Sequence, residues 1–179
     1  MTAIPTTKRA LDMEDAASDS TYEVRFKRIL VPTDFSEGAE QALKYAVRFN
    51  GLYHAEIFLL HVFNLPEYVS PLSAKAEVDS EVADDVWEEA KKRALEKLED
   101  IARRLADKKP AIITSLSIGV PFEEIVKFSA ERDVDLIVMS THGRTGLGRI
   151  LLGSTTERVI SHAGAACPVL VLKQTREAK

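Results

Sequence analysis

The stretch Ser140-Thr-His-Gly143-Arg-Thr-Gly146-Leu-Gly148-Arg-Ile-Leu-Leu-Gly153-Ser154-Thr-Thr-Glu157 concentrates the groups in this chain best suited to hold an anion. Gly143 lets the backbone approach a ligand closely and permits positive φ. Gly153-Ser154-Thr155-Thr156 reads as the opening of a helix, whose first amides have no partner inside the helix and carry the positive end of its dipole. The hydroxyls of Ser154, Thr155 and Thr156 add donors, and Arg144 and Arg149 offset phosphate charge. A structural reading competes: Ser154-Thr-Thr-Glu157 also fits a capping box, in which Ser154 and Glu157 satisfy the helix's own amides.

Two better-known phosphate motifs are excluded. Gly148 and Gly153 have P-loop spacing, but Ser154 stands where the lysine is needed and the loop does not follow the first strand. Gly146 and Gly148 begin a G-x-G-x-x-G pattern that Leu151 ends. No G-x-S-x-G elbow, H-E-x-x-H or pair of carboxylates marks a catalytic centre, and no catalytic residue is assigned. His142 has no second ligand at transition-metal spacing, so no metal site is assigned either. His61, in an apolar run, reads as a satisfied strand-end or core histidine, His54 and His162 as surface residues, and Trp87 as packed on a neighbour. Cys167, the only cysteine, reads as a buried small hydrophobe.

The elements that must position these residues alternate between two periods. Short apolar runs at Arg28–Pro32, Ala55–Phe63, Ala111–Ile118, Val134–Met139 and Pro168–Leu172 read as strands. Ser36 caps a helix with the stripe Ala39, Ala42, Leu43, Ala46 and Val47, which Gly51 ends. A long helix from about Asp79 to Ala106 carries Val82, Val86, Ala90, Leu95, Leu98, Ile101, Ala102 and Leu105. Pro121 opens a third helix that buries Phe122, Ile125, Val126 and Ser129, and a fourth begins at Ser154. Strands alternating with helices predict an α/β fold: an open, doubly wound parallel sheet of five strands with helices on both faces. Ligands of such sheets sit beyond the carboxyl ends of the strands, here Thr33-Asp34, His61-Val62-Phe63, Ser117–Gly119 and Ser140–Gly143.

The chain has 179 residues, 45% apolar and 29% charged, with net charge −4. That is enough to bury a core without disulfide or metal, and the charge argues against a nucleic-acid platform. Residues 1–24 read as a flexible polar leader, 25–175 as one domain and 176–179 as a tail. No apolar run approaches a membrane span and the acidic leader is not a secretory signal, so a cytoplasmic, membrane-free protein is expected.

VMSTHGRTGLGRILLGSTTERVI, the following CPVLVLK and the opening RILVPTDFSEGAEQAL together resemble the universal stress protein family. Nucleotide-binding members of that family carry G-x2-G-x9-G-[ST] after the fourth strand. Here Gly143 and Gly153-Ser154 keep the spacing, and Ser140 replaces the first glycine. The resemblance, over Lys27 to Lys173, implies strand order 3-2-1-4-5 and an adenine nucleotide (ATP, ADP or AMP, with or without Mg2+) across the strand ends. It implies that Pro32, Thr33 and Asp34 flank the adenosine and that Ile57 holds the adenine edge through its backbone. Met139, Ser140, Gly143, Gly153, Ser154, Thr155 and Thr156 would line the ribose and phosphates. If residue 140 must be left-handed, serine weakens binding; if it is an ordinary strand end, its hydroxyl adds a hydrogen bond.

In that strand order the run Pro168 to Leu172 is an exposed apolar edge, and a homodimer through it is expected. The function expected is that of an adenine-nucleotide-binding stress-response regulator acting as a homodimer. The alternatives are a slow ATPase or autophosphorylating enzyme, with Asp34 or His142 positioning water, and a nucleotide-free interaction protein with an unknown client.

Overall fold

A computed structural model describes residues 24–64, 80–105, 112–141, 153–163 and 167–173. The order is β1 (Arg28–Pro32), α1 (Glu37–Tyr53), β2 (Glu56–Phe63), α2 (Ser80–Leu105), β3 (Ile112–Ile118), α3 (Pro121–Glu131), β4 (Leu136–Ser140), α4 (Ser154–Ala163) and β5 (Val169–Leu172). The five strands form one parallel sheet in the order β3-β2-β1-β4-β5, as expected.

Alternation along each strand feeds two cores. Ile29, Val31, Ile57, Leu59 and Val138 face Ala42, Leu43 and Ala46 of α1 and Leu98 of α2. Leu30, Phe58, Leu60, Ile137 and Met139 face Ile125 and Phe128 of α3 and Val159 and Ala163 of α4. Each fully buried side chain of this size contributes about 1.5–3 kcal/mol over leaving it in water. Cys167 belongs to the second core, 3% exposed, and burial pushes its thiol up to about 11 from 9.0. Trp87 packs edge-on against Phe63. No helix among the described residues is long and apolar enough to cross a membrane.

Three local expectations shift. Gly51 does not end α1: the helix runs to Tyr53, and His54 closes it in the left-handed region, its N–H donating to the Asn50 carbonyl. The Asn50 amide then donates to the Ala55 carbonyl at 2.7 Å, fixing the exit into β2. On α2 the buried stripe passes through Ala94 and Leu98, whereas Leu95 is exposed; one residue turns a helix by about 100°, enough to move a side chain off the face. On α3, Phe128 joins Ile125 and Ser129 as buried, while Phe122 and Val126 are only partly covered. The leader 1–23, Ala111, the tail 176–179 and the side chains of Val82 and Val86 lie outside what is described.

Candidate functional site

β1 pairs with β2 as far as Pro32↔Leu60, but with β4 only over Ile29↔Leu136 and Leu30↔Ile137. Pro32 has no N–H to continue a ladder, and beyond Leu30 the two strands part. The gap between their carboxyl ends is a cavity of about 450 Å3. Its walls bring together Pro32, Thr33, Asp34, Met139, Ser140, Gly153, Ser154, Thr155 and Thr156, with Leu60 and Val62 of β2 and Pro121 and Ile125 of α3. Apolar side chains thus make one wall and a helix start makes another. Gly143, Arg144, Arg149 and His142 lie outside the described residues.

The turn after β1 is held by its own side chains. Thr33 N–H donates to the Leu60 carbonyl at 2.8 Å, and Thr33 Oγ1 accepts from Phe35 N–H at 3.0 Å. Asp34 Oδ1 accepts from Ser36 N–H at 3.0 Å, and Ser36 Oγ caps α1 by accepting from Ala39 N–H at 3.3 Å. Phe35 sits at φ 64, a left-handed conformation that costs a non-glycine residue about 1–2 kcal/mol. Its ring lies 4.4 Å from that of His61, whose Nδ1 meets the Thr33 carbonyl at 2.7 Å and so carries the proton it donates there. His61 is buried at the strand end, as its sequence context suggested, and its ring holds the carbonyl of Thr33, a residue that lines the cavity.

On the opposite side, Ser140 ends β4 in register with Leu172 and is not among the positive-φ residues Phe35, His54 and Asp133. The serine therefore stands at an ordinary strand end, the second of the two alternatives. Gly153 N–H donates to the Thr141 carbonyl at 2.7 Å, and a Cβ on Gly153 would lie 3.1 Å from that same oxygen. Glycine here allows the close seating of the helix start on the strand end.

The capping-box reading is not realised. α4 begins at Ser154, and Glu157 N–H donates to the Gly153 carbonyl at 2.9 Å, which makes Gly153 the capping position. A glycine cap has no side chain to satisfy the amides of Ser154, Thr155 and Thr156. Thr156 is corrected in one respect: its Oγ1 donates to the Ser140 carbonyl at 3.0 Å, tying α4 to β4, so its hydroxyl proton is committed within the protein.

Ile57 is not brought to the site. Register with Ile29 places it near the amino end of β2, fully buried in the core. The β2 residues that line the cavity are Leu60 and Val62. Both lie toward the carboxyl end, and Val62 falls within the strand-end set that parallel topology had marked. Among the described residues no group of three or more His, Cys, Asp or Glu is arranged to hold a metal ion.

A model of the universal stress protein family matches residues 25–173. Universal stress protein MJ0577 of Methanocaldococcus jannaschii is 40% identical over 163 residues, covering 84% of this chain and 97% of that protein. The solved structure of MJ0577 superimposes with a TM-score of 0.71 at 38% identity, covering 86% of this chain and all of that one. A universal stress protein solved in complex with cAMP shares the fold at 18% identity and TM-score 0.59, over 85% of this chain and 100% of that chain. One from Archaeoglobus fulgidus in complex with dAMP does so at 20% and 0.55, over 83% and 98%. The chain belongs to the universal stress protein family.

Proposed function

We propose that this protein binds an adenine nucleotide, ATP foremost, at the carboxyl ends of β1 and β4. The carrying observation is that the β1 turn, the end of β4 and the glycine-capped start of α4 edge one cavity of about 450 Å3, within the range of small-molecule sites. The apolar wall of Leu60, Val62, Ile125 and Met139 suits the base, with Asp34 beside the adenosine. The first amides of α4 suit phosphate oxygens, which the helix dipole also favours. Gly143 and Arg144 would complete the phosphate side. The neighbours solved with cAMP and dAMP carry adenine nucleotides on the same fold, which supports the choice of ligand class. Mg2+, if bound, would be held largely by the nucleotide's own phosphates.

In this reading nucleotide binding changes what the protein contacts, and the protein acts as a cytoplasmic homodimer joined along β5, an edge of the sheet. Calorimetric titration with ATP, ADP, AMP and cAMP tests the first part: saturable binding is expected, and no heat or thermal shift at millimolar nucleotide would reject it. A mass that stays monomeric in light scattering at high protein concentration would reject the second.

A further inference from the structure

A second hollow, about 810 Å3, runs between α1 and α2 on the other side of the β1 turn. Phe35, Leu43, Ile101 and Leu105 give it an apolar floor. Its rim is charged: Lys44 pairs with Glu40, Arg93 with Glu89, and Arg103 and Arg104 share Asp100, while Glu96 adds a further carboxylate. Lys97 pairs with no carboxylate among the described residues; its ammonium instead lies 5.3 Å from the centre of the Phe35 ring. The five cations Lys44, Arg93, Lys97, Arg103 and Arg104 against the four carboxylates Glu40, Glu89, Glu96 and Asp100 leave a net charge of one positive above a long apolar floor. A polyanion finds too few cations here, and a neutral hydrocarbon would leave Lys97 unmatched. The complement is an apolar body with a single negative head.

The distance along α2 from Lys97 to Leu105 is about 12 Å at the helical rise, the reach of a medium-length chain. The groove also shares a wall with the strand-end cavity. Thr33 lines both, and Phe35, which floors the groove, is the residue held in the left-handed region against His61. We propose that this groove is a second ligand site, for an amphiphilic carboxylate whose chain lies over Leu43, Ile101 and Leu105 with its head on Lys97, and that filling it alters the strand-end cavity through Phe35. The coupling rests on the nucleotide reading above; the site itself does not.

Calorimetry on the full chain tests both parts, with dodecanoate as the probe, dodecyltrimethylammonium as the charge control and acetate as the head-only control. Dodecanoate is expected to bind saturably at one site below its micellar concentration, and acetate not at all. Lys97→Glu, at an exposed position, should weaken dodecanoate about tenfold or more, the value of one charge-assisted contact. Absence of saturable dodecanoate binding, an unchanged affinity in Lys97→Glu, or equal binding of the cationic amphiphile would overturn the site. Saturating dodecanoate should change ATP affinity about fivefold, and ATP should change dodecanoate affinity by the same factor. Equal ATP affinities with and without dodecanoate would overturn the coupling. Failure of ATP to bind under either condition would sink the nucleotide reading and the coupling together, leaving the dodecanoate result to decide the site.

Discussion

The two ends of the β1–β4 pair meet the same geometric problem and solve it in opposite ways. At the amino end the Asp135 carboxylate fills the space between the strands, accepting from Lys27 N–H at 2.7 Å and Arg28 N–H at 3.2 Å. Asp135 N–H donates to the Arg28 carbonyl at 3.0 Å, and Arg28 pairs with Asp133 beside it. At the carboxyl end Thr33, Asp34 and Ser36 each accept from an amide of their own turn, Thr156 ties α4 to Ser140, and the described residues leave a cavity between them. One end closes the sheet, and the other holds the walls of a cavity apart. Stability and ligand binding should therefore separate by mutation.

The largest effect is expected from Gly153→Val. Its Cβ would press on the Thr141 carbonyl and lift the start of α4 from β4, costing ATP at least about a hundredfold in affinity, roughly 2.7 kcal/mol. Calorimetry would read that loss, with the far-ultraviolet circular dichroism unchanged. Asp135→Ala should do the converse. Losing charge-assisted bonds to two amides lowers unfolding free energy by about 1.5–3 kcal/mol, read by urea denaturation, while ATP affinity stays within about twofold. An equal loss of both properties in either variant would erase the distinction between the ends.

Thr156→Val should fall between them. It removes the hydrogen bond to the Ser140 carbonyl, worth about 0.5–1.5 kcal/mol, and loosens α4, so stability and ATP affinity should both drop. His61→Phe keeps the ring contact with Phe35 but removes the hydrogen bond to Thr33. It should weaken ATP several-fold, and His61→Asn, which restores a donor, should recover part of the loss. Unchanged affinity in His61→Phe would show that the turn holds itself.

The smallest effect concerns Cys167, whose thiol is raised by burial to about 11. A folded pKa above the unfolded 9.0 means that its contribution to stability is intact below pH 9 and lost as pH rises toward 11. Native protein should resist iodoacetamide at pH 8 and react once unfolded. Rapid native alkylation would contradict the burial.

Much of this was legible in the sequence because the signals are local. Ser36 and Pro121 open helices where capping chemistry places them, and the apolar runs are the strands. What was misplaced depends on register. AEIFLLHVF is apolar but for Glu56 and His61, so nothing in the run itself says that Val62 rather than Ile57 reaches the cavity; pairing with β1 decides it. Ser154 fits a capping box by type, but the hydrogen bond from Gly153 to Thr141 moves the cap one residue back. Gly51 looked like a terminator, yet Asn50 and His54 carry the exit instead. The parting of β1 from β4 after Leu30 also needed three dimensions, although Pro32 hints at it.

Backbone amide resonances of Ser154, Thr155 and Thr156, followed while ATP and then adenosine are titrated into the protein, test the central claim most directly. The account predicts large, saturable shifts at the start of α4 with ATP and much smaller ones there with adenosine. Shifts of equal size for both ligands, or ATP-induced shifts confined to other parts of the chain, would contradict it.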